Sequence, residues 1–135
     1  MTQISKAMGI VLSGVLMVAG SLLPAASGMA HHSAAMFEAE RTIEINGTVR
    51  EFQWTNPHIW IQLDVQNADG ALEEWSVEGG VPNRLFRSGW RPTSFKPGDQ
   101  VAIVVRPMID GGKAGIFVGA KLADGSTLGR FADNN

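Results

Sequence analysis

Three observations in this 135-residue chain predict an all-β fold with one short helix, a small five-stranded OB-like barrel. Apolar and polar residues alternate over successive short runs, the period-2 pattern of strands that bury one face. Asn67-Ala68-Asp69-Gly70, Lys96-Pro97-Gly98-Asp99 and Asp110-Gly111-Gly112 punctuate those runs with turn chemistry. Only the stretch that opens at Pro82 carries helix start and stop signals.

The first strand is read over Thr42 to Gln53, where Ile43, Ile45, Gly47 and Val49 alternate with Glu44, Asn46, Thr48 and Arg50. Its phase slips at Glu51-Phe52, as a bulge or sharp bend requires, so the strand is expected to curve. His58 to Gln66 alternates more cleanly. Ile59, Ile61, Leu63 and Val65 form its core face, which leaves His58, Trp60, Gln62 and Asp64 on the opposite one. The turn at Asn67 to Gly70 then makes a hairpin with Ala71 to Glu78.

The helix is expected between Pro82, suited to a first helical turn, and Gly89, suited to closing one, with Leu85 and Phe86 as apolar anchors. Two turns at most, it fits as a plug for a barrel end. Its Arg84 and Arg87 lie at i,i+3 spacing and read as a solvated face more readily than as an anion site. Strands over Gln100 to Arg106 and Gly115 to Leu122 follow, with a short sixth at Ser126 to Leu128. The order β-β-β-α-β-β with a bent first strand is that of an OB-type barrel, a five-stranded barrel of other topology being the alternative.

The first 30 residues read as a signal peptide. A polar start with one cation at Lys6 precedes an uncharged apolar run from Ala7 to Leu23, and Pro24 to Ala30 ends in small residues. Cleavage after Ala30 would leave residues 31–135 as a single OB-like domain in the periplasm or secreted, with no stable membrane insertion. A cut after Ser27, or retention of the run as an anchor, is the competing reading. The chain carries 11 Lys+Arg against 13 Asp+Glu, and the leader holds only Lys6 among them, so the mature part is mildly acidic. That balance disfavours nucleic acid and anionic lipid. With no Cys, the chain has neither disulfides nor thiolate metal sites.

Several segments together resemble a family of small exported bacterial proteins of unknown function. These are His31-His32-Ser33, Met36-Phe37, Trp54-Thr55-Asn56-Pro57-His58, Gly89-Trp90, Lys96-Pro97-Gly98-Asp99 and Ala123-Asp124-Gly125. The resemblance covers essentially the whole mature chain. It implies export and a small β domain and assigns no activity.

Function therefore rests on the residues. If His31 becomes the first residue, its α-amine and imidazole can chelate one metal ion, both being neutral donors near neutral pH. The second ring nitrogen would come from His58, or from His32, although neighbours in an extended chain point apart. Nitrogen-rich sites of this kind suit copper, with zinc less favoured. Met36 adds a thioether near the chelate, ahead of Met108. The bland alternative makes His31 and His32 a tip and His58 a strand-opening residue bonded to nearby backbone.

A second class of reading uses Trp54 and Trp60 as exposed platforms for a polysaccharide or peptide, since OB-type barrels bind polymers across their second and third strands. Trp75, in phase with Val77, is expected in the core, and Trp90 is expected to cover the helix end. Enzymatic readings are weaker: Glu73, Glu74 and Glu78 share one strand without a nucleophile, and neighbouring acids of that kind are usually solubilising. The sequence thus points to an exported copper carrier or buffer. Its partners would be the metal ion and a periplasmic protein, and a purely structural module ranks third.

Overall fold

The computed structural model describes residues 34–131. A 3-10 turn over Ala34–Met36 leads to β1 (Ile43–Gln53), β2 (Trp60–Gln66), β3 (Leu72–Glu78), α1 (Pro82–Arg87), β4 (Gln100–Pro107), β5 (Ala114–Leu122) and β6 (Thr127–Gly129). Each strand lies within two residues of its expected place. The sheet runs β3-β2-β1-β4-β5-β6, and a parallel pairing of β3 with β5 through Ser76↔Ala114, Val77↔Gly115 and Glu78↔Ile116 closes it. Strands β1, β2, β3, β5 and β4 therefore form a closed mixed barrel, with β6 added outside on β5.

β1 can serve both halves of the barrel because it bends. Its first half pairs with β4 and its second with β2, with Gly47 in both ladders, facing Val101 on one side and Val65 on the other. Register shifts between Val49 and Glu51, leaving Arg50 as the extra residue. The slip expected at Glu51-Phe52 is thus a bulge centred one residue earlier. Beyond it the alternation resumes, with Phe52 paired to Ile61.

The period-2 prediction holds along β2, where Ile59, Ile61, Leu63 and Val65 are all buried. Ile45 and Val49, Trp75 and Val77, and Val101, Ile103 and Val105 complete the barrel interior from the other strands. The β2–β3 turn is fixed by Asn67, whose Oδ1 accepts hydrogen bonds from Asp69 N and Ala71 N, each 3.0 Å.

α1 begins with Pro82 in its first turn and ends at Ser88, after which Gly89 takes φ +94°. That left-handed conformation is cheap only for glycine, and it returns the chain so that Trp90 N bonds Leu85 O at 3.0 Å. Trp90, expected to cover the helix end, is thereby carried into the core, where it is 3% exposed. Edge-to-face contacts link Trp54 to Phe52, Phe52 to Phe95, Phe95 to Trp90, and Trp90 to Phe117, with centroids 5.0–5.9 Å apart. Such pairs each add roughly 0.5–1.5 kcal/mol beyond area burial, so the aromatic row is a stabilising end to the barrel.

Candidate functional site

His58 ends the β1–β2 connection, whose Asn56–Pro57 peptide is cis. The ladder of β2 starts at Trp60, two residues later than the alternation suggested, because the chain at Ile59 pairs with the glycines that follow β3. Gly79 N donates to Ile59 O at 2.9 Å and Ile59 N donates to Gly80 O at 3.1 Å. This places the imidazole over the end of β3, where Nδ1 lies 3.0 Å from Gly79 O and 3.1 Å from Glu78 Oε1.

Both atoms facing Nδ1 are acceptors, so Nδ1 carries the proton and donates to them. In the neutral ring this leaves Nε2 with a free lone pair, and among the described residues nothing bonds it. The His58 side chain is 41% exposed while that of Glu78 is 11% exposed, so the carboxylate lies beneath a ring that reaches solvent. An imidazole held through one nitrogen by a carbonyl and a carboxylate, with the other nitrogen open, has the tautomer and fixed orientation of a metal ligand. It serves equally as a proton acceptor.

Glu78 is the residue that sequence reasoning undervalued. Grouped with Glu73 and Glu74 as a solubilising acid, it is buried at 9% relative exposure, whereas Glu74 is exposed and pairs with Arg50. The signal lay in the register: Glu78 is in phase with Glu74 but sits directly opposite Trp60 and next to Gly79, where the His58 ring covers it. Glu73 is held by Lys113 Nζ at 2.8 Å and Asn67 Nδ2 at 3.2 Å, and these bonds, Lys113 first, keep its carboxyl below the ordinary range.

Of the other residues singled out, Trp60 lies on the outer face, opposite Glu78 and Gln53, and is half-buried. Trp54 is also half-buried and packs on the core through Phe52, so its ring is a fixture of the aromatic row before it is a platform. Met36 is exposed and sits against the β4–β5 connection, its carbonyl accepting from Ile109 N at 2.9 Å. The start of β5 and the end of β3 separate it from His58. His31, His32 and the expected cleavage site lie outside the described residues. Among the described residues no group of three His, Cys, Asp or Glu side chains converges, so any metal on His58 takes its further donors from elsewhere. Among the same residues no helix is long and apolar enough to cross a membrane.

Comparison with known proteins adds a family and no activity. No curated protein and no solved structure matches the chain. Residues 20–117 match a family of unknown function, DUF6152. That span runs from before the histidine pair into β5 and is well over half of the sequence, and the chain therefore belongs to this family of unknown function.

Proposed function

We propose that the protein is an exported copper carrier or buffer, in which the α-amine and imidazole of His31 and the Nε2 of His58 bind one copper ion. The observation that carries this reading is the His58 Nδ1–H held between Gly79 O and Glu78, which leaves Nε2 open to a ligand. An imidazole anchored this way loses little freedom on binding metal.

The path of the N-terminal segment supports it. Phe37 bridges Met108 and Glu38 N bonds Pro107 O at 2.9 Å, so the segment is fixed on the rim of β4. Pro107 pairs with Gly115 and Gly115 with Val77, so at about 4.8 Å per strand the His58 site lies roughly 15 Å from Phe37. Five residues lie between His31 and Phe37, which makes six chain steps. Counting the 3-10 turn at about 2.0 Å per residue and the rest at about 3.4 Å, they span roughly 16 Å. The tether is long enough and has little slack.

The test is copper titration of protein that begins at His31, followed by paramagnetic resonance of the Cu(II) form. One equivalent bound with three nitrogens is expected, with the loss of one nitrogen in His58→Ala. A spectrum unchanged in His58→Ala would refute the site.

A further inference from the structure

The charge of this chain is unevenly distributed. Residues 79–98 contain four cations, Arg84, Arg87, Arg91 and Lys96, and no acid, which leaves seven cations against 13 acids elsewhere. None of the four forms an ion pair among the described residues, whereas Arg50 and Lys113 each find carboxylates. Lys96 has acids nearby, since Asp99 accepts from its backbone N at 2.8 Å and lines a pocket with it and Asp124, so the cations of interest are Arg84, Arg87 and Arg91.

The same surface exposes apolar side chains. Phe86 is 52% exposed and Val81 41%, in a protein whose other large apolar residues mostly pack inward. α1 has only six residues, and with Pro82 and Leu85 turned toward the barrel its outer arc carries Arg84, Phe86 and Arg87. Arg91 is stacked on this arc, its guanidinium carbon 4.2 Å from the Phe86 ring centroid. One of its nitrogens also donates to Phe86 O at 3.1 Å and to Trp90 O at 2.7 Å. Arg91 is therefore fixed before any partner arrives, so less side-chain entropy is lost on binding. An exposed aromatic stacked by one arginine, on a short helix that exposes two more, has the composition of an interface centre, where Arg and aromatics are enriched.

We infer that the outer arc of α1, with Arg91 and Val81, is a docking surface for an acidic segment of a partner protein that also carries an apolar side chain. Carboxylates of the segment would meet Arg84 and Arg87, and its apolar residue would cover Phe86. Charge complementarity selects this occupant. A nucleic acid needs a broader positive surface than one helix offers, and an anionic bilayer is a plane that would also confront the acid-rich remainder. A polypeptide segment can touch the arc alone. The surface begins two residues beyond Gly79, beside the His58 site, but the inference rests on charge and exposure and does not depend on metal.

The experiment is fluorescence anisotropy of the full mature protein with a labelled peptide, two repeats of Glu-Glu-Leu-Glu-Glu-Phe, alongside sedimentation with phosphatidylglycerol vesicles. Saturable peptide binding is expected, weakening as ionic strength rises. The double variant Arg84→Glu/Arg87→Glu should lose at least about tenfold in affinity, and Phe86→Ala about fivefold or more. Arg41→Glu, the same charge change as either reversal made singly, at an exposed site outside residues 79–98, should leave binding within about twofold. Circular dichroism of each variant keeps folding defects separate. Equal affinity in the wild-type and charge-reversed proteins, or an equal loss in Arg41→Glu, would overturn the docking surface. So would vesicle binding without peptide binding, which would transfer the arc to a lipid surface.

Discussion

Gly79→Ala is the substitution whose cost can be worked most directly from the structure. A Cβ built on Gly79 would lie 2.4 Å from Ile59 Cγ1 and 2.6 Å from its Cδ1, distances that real Cβ atoms do not reach. Gly79 does not have positive φ, so alanine meets no backbone strain and the whole penalty is steric. Ile59 is fully buried and cannot swing into solvent. The extra methyl must therefore displace either the Ile59 side chain or the paired backbone, an overpacking cost of about 1–3 kcal/mol. For a domain of this size, each kcal/mol lowers the melting temperature by roughly 4–8 °C, so a fall of about 4–24 °C is expected in calorimetry. The pair can be isolated by a double-mutant cycle. Ile59→Ala alone should cost about 2–5 kcal/mol, and in that background Gly79→Ala should cost less than about 0.5 kcal/mol, because the clashing atoms are gone. Gly79→Ala within about 0.5 kcal/mol of wild type, or strict additivity in the cycle, would refute the close approach of these two segments. The result bears on the site as well, since Gly79 O is the acceptor that holds His58.

Glu78→Gln keeps the shape and removes the charge beneath His58; copper affinity should fall by roughly 10–100-fold, the usual cost of losing a partner that orients a ligand, and His58→Ala should fall further in the same titration. The lowered carboxyls of Glu73, bonded by Lys113, and Asp124, bonded by Ser126, give the folded protein fewer bound protons than the unfolded chain. Their stabilisation is fully present above the ordinary carboxylate range near pH 4–4.5 and is lost as pH falls through the lower folded values. Lys113→Met should accordingly flatten the decline in urea midpoint below pH 5, and an unchanged slope would remove Glu73 from that account. Phe95→Ala should cost about 3–5 kcal/mol in the same unfolding assay, since the ring is 2% exposed and joins Phe52 to Trp90.

The barrel was legible in the sequence because its strands are short, alternate cleanly and end in turn chemistry that has a mechanism. Ile59 to Val65 gave the inward face of β2, and Pro82 and Gly89 gave both ends of the helical segment. The order of elements suggested the barrel type, but nothing local in Ser76 to Glu78 announces a parallel partner in Ala114 to Ile116. Glu78 was missed for the same reason. Its burial comes from a residue 20 positions earlier in the chain, and alternation reports only the face of a strand, never what later covers it. Trp54 shows the converse. Nothing local at Trp54 separates an exposed platform from a packed ring, and it is the contact with Phe52 that ties it to the core.

The proposed copper site can be separated from ordinary histidine binding by the residue that precedes His31. An α-amine is a neutral donor once deprotonated, near pH 7.7–8.0, whereas the same nitrogen inside a peptide bond is an amide with no comparable basicity. Adding a single glycine before His31 leaves all three imidazoles in place and changes that one atom. The tether to Phe37 is unaltered, so His31 can still approach His58. If the amine is a ligand, the extended protein should bind copper nearly as weakly as His31→Ala, and its Cu(II) spectrum should lose one nitrogen. His32→Ala should do much less in either background. If the extended protein binds with full affinity, the free amine is not a ligand and the site reduces to imidazoles alone. Cleavage after Ser27 would produce that same extended state naturally, with three residues ahead of His31. Native mass spectrometry of protein from the exporting cell therefore decides, from the terminus and the retained copper together, whether the chelate is ever formed.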